Sequence, residues 1–395
     1  MNRLEIHRRK ALEFLAKKGL KLEDFDFEKT GFSRIPRKVI KELGVSVEEP
    51  KISGVYLQVN SDVIRLAVKK ELERKGVILL DLKEALKDPK YQEYYWKALP
   101  VDYDEYTVAA ELYGYHGVFI YVPEGVKVEF PIQACFLISS GKIGQAVHNI
   151  IVVDKNSSLT INTACAALRG EAIHIGVTEM FIGENAELTY IMVHGWTSDV
   201  QVRPRTGVYV DKNGSFISHY INLKPVKYIQ SYPKIVLKEN AKAYYSSVIV
   251  GREDSYMDLG SEIILKGGNA SGEIVSRGIA KDHSKLIMQG CLKGYAQNAR
   301  GHLECKGLQL SDNASIKAIP ILESKVVGAI LTHEASIGRI SEEELNYLMS
   351  KGFTEEEATS IIVRGFIDIG LDRIPKALRP QLESIYDMIA KMATG

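Results

Sequence analysis

A chain of 395 residues is long enough for two or three domains around a substantial core. Its 45% hydrophobic and 26% charged residues are those of a globular protein, and 51 basic against 50 acidic groups argue against a general nucleic-acid-binding surface. No apolar run approaches the ~18–20 residues of a transmembrane helix, and Met1 to Lys10 lack an apolar signal core, so a cytoplasmic location away from membranes is expected. Four scattered cysteines, Cys135, Cys165, Cys291 and Cys305, are too few for a disulfide framework and read as packed or chemically active thiols.

Residues 1–100 read as mostly helical. Leu4, Leu12, Leu15 and Ala16 form a helical stripe that stops at Gly19, and its basic flank reads as a solvated face rather than a membrane surface. Phe25 to Pro50 is rich in breakers. A second helix is predicted from Ser61 as N-cap through Leu66 and Leu72 to Gly76. Tyr91 to Trp96 is an aromatic patch suited to core or interface.

The texture changes over residues 101–335. Short runs rich in Val, Ile, Tyr and Thr recur, among them Gly117–Pro123, Val147–Val153, Glu187–Val193, Ala243–Val250 and Glu262–Leu265, with no helical pattern between them. Asn followed by a small residue recurs at Asn156, Asn185, Asn213, Asn240, Asn269 and Asn298, at spacings of 29, 28, 27, 29 and 29. Asn tolerates the left-handed conformation of a sharp corner. The period is too short for propeller blades of ~40–50 residues and predicts a β-helix with one or two coils per repeat. Residues one coil apart would then stack, placing Cys135, Cys165 and His194 in a column and Cys305 near Glu334.

Residues 336–395 turn helical. Ser341-Glu342-Glu343-Glu344 and Thr354-Glu355-Glu356-Glu357 are capping boxes, stopped by Gly352 and Gly365, and Pro375 can start a third helix through Leu382 and Ile389. Three amphipathic helices at the end of a solenoid are a cap or a dock for a partner. A cysteine, two histidines and carboxylates lie between His302 and Glu334, a donor set that suits zinc, iron or an iron–sulfur cluster but has no zinc-finger spacing. Glu304 and Glu323 also leave open a carbohydrate-active β-helix enzyme. No G-x₄-G-K-[ST] is present, so the chain is not expected to bind a nucleotide directly.

The run Gly117 to Val126, the segment Ser276-Arg277-Gly278-Ile279, His302 to Cys305, and Thr332 to Ile340 followed by Tyr347 to Gly352 together resemble the SufB/SufD family of the SUF iron–sulfur cluster assembly machinery. The resemblance implies a right-handed parallel β-helix core flanked by N-terminal and C-terminal helical domains. It also implies pairing through the end of the helix, as a homodimer or a SufB–SufD-like heterodimer. The C-terminal region would dock a SufC-type ABC ATPase, through positions such as Tyr347, Leu348, Gly352, Ala358, Ile362 and Phe366. Cys305 with His333-Glu334-Ala335 matches the SufB branch, whereas SufD-like chains, which are structural partners without their own cluster, carry His-Gly-Ala. Carried over by position, Cys305 and Glu334 would ligate a transient cluster, with His333 a further candidate. Cys165 would receive sulfur from a cysteine desulfurase or another donor, and His194 and Trp196 would lie on the route through the helix. The chain would thus be a scaffold and not an enzyme, passing its cluster to recipient apoproteins. It departs from the long SufB proteins in its length, its lack of their N-terminal cysteine cluster and its His194 in place of Gln, features that suit the short archaeal-type branch.

Overall fold

The computed structural model describes residues 3–20, 22, 25–28, 52–114, 116–376 and 378–394. The breaker-rich stretch from Phe25 to Pro50 lies mostly outside them. After the helix α1 (Arg3–Lys18) the chain enters a parallel β-helix of about eight coils, each built from one strand in each of two facing sheets. The first sheet runs in the order β2 (Asp62–Val68), β1 (Gly54–Val59), β5 (Ile132–Ile138), β7 (Ser158–Ala167), β9 (Glu187–Gly195), β12 (Ser215–Asn222), β15 (Lys242–Gly251), β17 (Ser271–Ala280), β19 (Arg300–Gln309) and β21 (Ile330–Gly338).

The second sheet begins with β3 (Ile78–Asp81), β4 (Val118–Val122), β6 (Ile143–Val153) and β8 (Ala172–Ile182). Beyond β8 the wall is carried by shorter strands, β10 (Val200–Val202) with β11 (Arg205–Val210), then β13 (Tyr228–Ser231) with β14 (Lys234–Leu237). It closes with β16 (Tyr256–Leu265), β18 (Lys285–Gly294) and β20 (Ser315–Ser324).

One Asn repeat is one coil. Asn156, Asn185, Asn213, Asn240, Asn269 and Asn298 all hold φ between 54° and 58°. Their amides stack into a ladder: Asn185 Nδ2 donates to Asn156 Oδ1 (3.2 Å), Asn213 to Asn185 (3.0 Å), Asn240 to Asn213 (3.1 Å) and Asn269 to Asn240 (3.2 Å). Each corner therefore satisfies its own side chain while supplying the left-handed turn.

Alternation along each strand sorts side chains into three apolar layers. Inward residues such as Ile161, Leu188, Phe216, Ile263 and Leu303 fill the solenoid. The outer face of the first sheet is covered by the C-terminal helices α6 (Glu355–Ile367) and α7 (Arg379–Thr394), through Val363, Ile367, Leu382 and Ile389. The outer face of the second sheet is covered by the N-terminal region, including α4 (Glu105–Tyr113) and the aromatic patch. Tyr91, Tyr95 and Trp96 of that patch are buried core. The fully buried Glu179 carboxylate pins the patch, accepting from the Trp96 (2.7 Å) and Leu99 (3.3 Å) amides while lying 2.9 Å from His148 Nε2.

The helix expected from Ser61 to Gly76 is instead β2 followed by the short helix α2 (Lys70–Arg74). Asn60, with φ 52°, and Ser61 make a two-residue hairpin turn that folds β2 back antiparallel on β1. One further short helix, α3 (Leu82–Ala85), precedes α4. The first C-terminal helix, α5 (Glu342–Ser350), starts where Ser341 Oγ accepts the Glu344 amide (3.5 Å). Thr354 and Glu357 form the complete capping box of α6, which runs through Gly365 to Ile367. The third C-terminal helix begins at Arg379 rather than at Pro375.

Candidate functional site

The solenoid ends at β20 and β21, which have no strand beyond them among the described residues. Side chains that the next coil would cover are left open there, and Ile321, Leu322, Ile330 and Ile337 are all exposed. Cys305 lies one coil in. It faces inward, is fully buried, and sits in register between Ser276 and Ala335. Burial pushes its thiol up to about 11, although a hydrogen bond with Ser276 and the charge of Arg277 pull the other way.

Glu334 is not the register partner of Cys305. It pairs with Glu304, so it belongs to the outward set, and it is exposed. The 29-residue spacing misleads because the last coil is longer. Ser271 to Arg300 spans 29 residues and Arg300 to Ile330 spans 30. The extra residue lies in the corner 310–314, which is five residues long where the corner 281–284 one coil earlier has four. A one-residue offset moves a side chain to the other face. His333, in register with buried Leu303, belongs to the inward set and is exposed at the open end.

An ionic ladder ties Glu334 to the C-terminal helices. Lys306 Nζ lies 3.1 Å from both Glu334 and Glu304, Arg277 pairs with Glu304, and Arg277 Nε donates to the Phe366 carbonyl of α6 (3.2 Å). Burial would raise the Glu304 carboxyl, but Arg277 and Lys306 outweigh it and hold it below the ordinary range. Glu304 is in the first sheet and Glu323 in the second, where Glu323 bonds to Tyr295 and Lys325; the two do not form a pair. Among the described residues no three His, Cys, Asp or Glu side chains converge in a metal-binding arrangement.

A second cluster lies deep in the solenoid. Cys165 and His194 are in register, as the spacing predicts. Cys135 is not in their column. Its register partner is Ala164, because this coil spans 29 residues and not 30, and Cys135 packs outward beneath the C-terminal helices. Cys165 Sγ lies 3.9 Å from Met192 Sδ, and His194 Nδ1 lies 2.9 Å from the Tyr220 hydroxyl. Trp196 is sandwiched between His174 and His194, at ring-centroid distances of 4.9 and 5.3 Å. Burial holds His174 near 3 and His194 well below its ordinary value, and raises Cys165 well above its own. The lining is therefore neutral at physiological pH. It encloses a cavity of about 50 Å³, measured at the centres of water-sized spheres.

Hydroxyls continue inward-facing from this cluster toward Cys305. The register runs Thr163, Met192, Tyr220, Ser247, Ser276, Cys305, and Ser247 Oγ donates to Ser276 Oγ (3.0 Å). His174, Tyr220, Ser247 and Ser276 were not singled out from the sequence as parts of one site. The signal was present in steps of 27 to 30 residues, but it needs the strand register to be read.

Of the expected docking positions, Tyr347 is exposed on α5, Gly352 stops that helix with φ 99°, and Leu348 and Ile362 are half-buried. Ala358 is fully buried and faces away from any partner, and Phe366 is half-buried against Arg277. The apolar surface there is completed by Met349, Phe353 and Ile361.

Fold and site together define a solenoid with an uncapped, thiol-bearing end and a helical appendage tied to it by charge. Residues 136–366 match the family described as SUF system FeS cluster assembly, SufBD core domain, and residues 33–134 match its N-terminal region. The chain belongs to the SufBD family. It is 40% identical to an iron–sulfur cluster assembly SufBD family protein of Archaeoglobus fulgidus, over 90% of this chain and 95% of that one. It is 39% identical to one of Methanothermobacter thermautotrophicus, covering 97% and 98%, and 34% to one of Pyrococcus horikoshii, covering 89% and 80%. Among the described residues no helix is long and apolar enough to cross a membrane.

Proposed function

We propose that the chain is a SufB-like scaffold subunit that builds a nascent iron–sulfur cluster together with a SufC-type ABC ATPase and passes it to apoproteins. The observation that carries this reading is Cys305, one coil beneath an open end whose rim bears His333 and Glu334. The cluster is cargo, so weak and mixed ligation by thiolate, imidazole and carboxylate suits a hand-over better than a closed set of four cysteines. A buried thiol near 11 must be uncovered and lose its proton before it can hold iron. Lifting β20 and β21 off β18 and β19 would do both.

Since no three donors converge within one chain, the remaining ligands would come from a second subunit across the open end, either another copy or a SufD-like chain. The exposed face of α5 and α6, with Tyr347, Met349, Phe353 and Ile361, is the handle for the ATPase. Its pull would reach the rim through Phe366, Arg277, Glu304 and Lys306. In this reading the chain itself has no enzymatic step and binds no nucleotide. Sulfur would come from a desulfurase or sulfide by way of Cys165, His194 and Trp196, in the cytoplasm, without nucleic acid or membrane.

The test is anaerobic reconstitution with iron and sulfide in the presence of the ATPase partner, followed by visible absorption. The wild type should develop a cluster chromophore, Glu334→Ala should weaken it, and Cys305→Ala should abolish it. Full colour in Cys305→Ala sinks the scaffold reading. It would favour a SufD-like structural role, to which the complete burial of Cys305 lends itself.

A further inference from the structure

Cys165 is only 1% exposed, so any solute that meets it must cross a wall of the solenoid. The ladder of the second sheet is interrupted where β10 and β11 lie beside β13 and β14. Pairing between these coils covers Gln201 and Val202 with Tyr228 and Ile229, then resumes only at Gly207 with Lys234. Pro204 and Pro233 stand in the gap, and neither can donate to a ladder. The carbonyls of Pro204 and Gln230 are taken by Arg205 Nη1 instead, at 2.9 and 3.2 Å, and Arg205 Nε is held by Asp104.

Two spaces meet at this gap. Inside, Pro204, Thr206, Ser231 and Pro233 line the same cavity as Cys165 and His194. Outside, Arg203, Arg205 and Tyr228 line an open cleft of about 440 Å³ that also takes in Lys18. Alternate residues of one segment thus face the two spaces, and nothing thicker than a strand separates them. The Arg203 guanidinium lies 3.6 Å from the Tyr228 ring centroid and 5.3 Å from that of Tyr106. Its Nε is buried with no hydrogen-bond partner among the described residues. A stacked cation with a buried, unused donor is a prepared contact for a small anion.

We propose that the gap is a port, through which a small sulfur anion of the hydrosulfide class, gathered at Arg203, passes between Pro204 and Pro233 to Cys165. This rests on the reading of Cys165 as the sulfur-entry residue. An unbroken ladder would have to lose hydrogen bonds to admit a solute, whereas here the bonds are already absent. Arg205 bridges the two sides of the gap and acts as its bolt, since its guanidinium must move for the carbonyls of Pro204 and Gln230 to part.

The port is tested with methyl methanethiosulfonate, a small neutral thiol reagent, on the full chain, with peptide mass spectrometry reading each cysteine. Ser231→Leu and Thr206→Leu each place a larger side chain in the passage. Each should slow modification of Cys165 by about tenfold or more while leaving Cys135, on the other side of the first sheet, at its wild-type rate. If Ser231→Leu fails to fold, Thr206→Leu carries the test. An unchanged rate at Cys165, or an equal slowing at Cys135, overturns the port.

The vestibule is tested with bromide, an anion close to hydrosulfide in size. An anomalous diffraction peak should appear at Arg203 in wild-type crystals and be lost in Arg203→Gln; no peak in the wild type overturns the anion contact. Port-dependent labelling together with undiminished cluster assembly in Cys165→Ser retires the sulfur-entry reading and keeps the port. Port-independent labelling with assembly lost in Cys165→Ser does the reverse.

Discussion

His219 shows how one titrating side chain can report the seating of a whole domain. It faces outward from β12, with Nδ1 2.6 Å from Ser246 Oγ, and Gly370 of the C-terminal region packs onto its ring. Burial first, and Arg373 second, hold its imidazole near 4, against the opposing charge of Asp372. The folded state therefore keeps His219 neutral, while the unfolded chain takes up a proton below about 6.5. Stability from this group is complete above that value and is lost as pH falls toward 4, by up to about 3 kcal/mol. Urea midpoints from pH 7 to 4.5 should fall more steeply in the wild type than in His219→Gln, and parallel slopes would refute the assignment. The same scale shows what single residues could tell in advance. Cys165 and His194 were correctly stacked because their coil and their spacing are both 29 residues. Cys135 and Glu334 were each misplaced by one position, and a β-strand turns one position into the opposite face.

At the scale of elements, the Asn corners made the fold legible. A polar residue able to hold positive φ, repeated once per coil, gave the length of a turn of the solenoid before any strand pairing was known. Asn240→Ala should cost about 1–2 kcal/mol, since it strains a φ of 54° and removes the bonds to Asn213 and Asn269. Asn240→Gly keeps the conformation and loses only the ladder, so its melting temperature should fall between wild type and Asn240→Ala. Equal losses in the two variants would mean that the turn conformation contributes little. The hairpin of β1 and β2 was missed although Asn60-Ser61 carries the same Asn-small signature. It falls outside the period, and Val63 to Val68 lacks the polar–apolar alternation that separates a strand from an amphipathic helix. The C-terminal helices were legible because capping chemistry is local. Which of their residues face the solenoid was not, and Ala358 is the example.

For the whole molecule, the uncapped end is the dominant asymmetry. Unpaired strand edges with exposed apolar side chains are a template for another chain. If subunits join there, Ile330→Lys should shift sedimentation from dimer toward monomer with little change in melting temperature, because Ile330 is already exposed in the single chain. An unchanged dimer would place the interface elsewhere. The four thiols are distributed so that the wall of the solenoid keeps them apart. Cys135 and Cys165 lie on neighbouring strands of one sheet but on opposite faces, so no disulfide can join them. Cys165 and Cys305 share the interior but stand five strands apart, on the order of 24 Å. Cys291 belongs to the other sheet. Oxidative stress therefore has no intramolecular crosslink to make. The chain can be oxidised only one sulfur at a time, or tied to another molecule, and a reductant can reverse either lesion without the solenoid having been locked in a wrong shape.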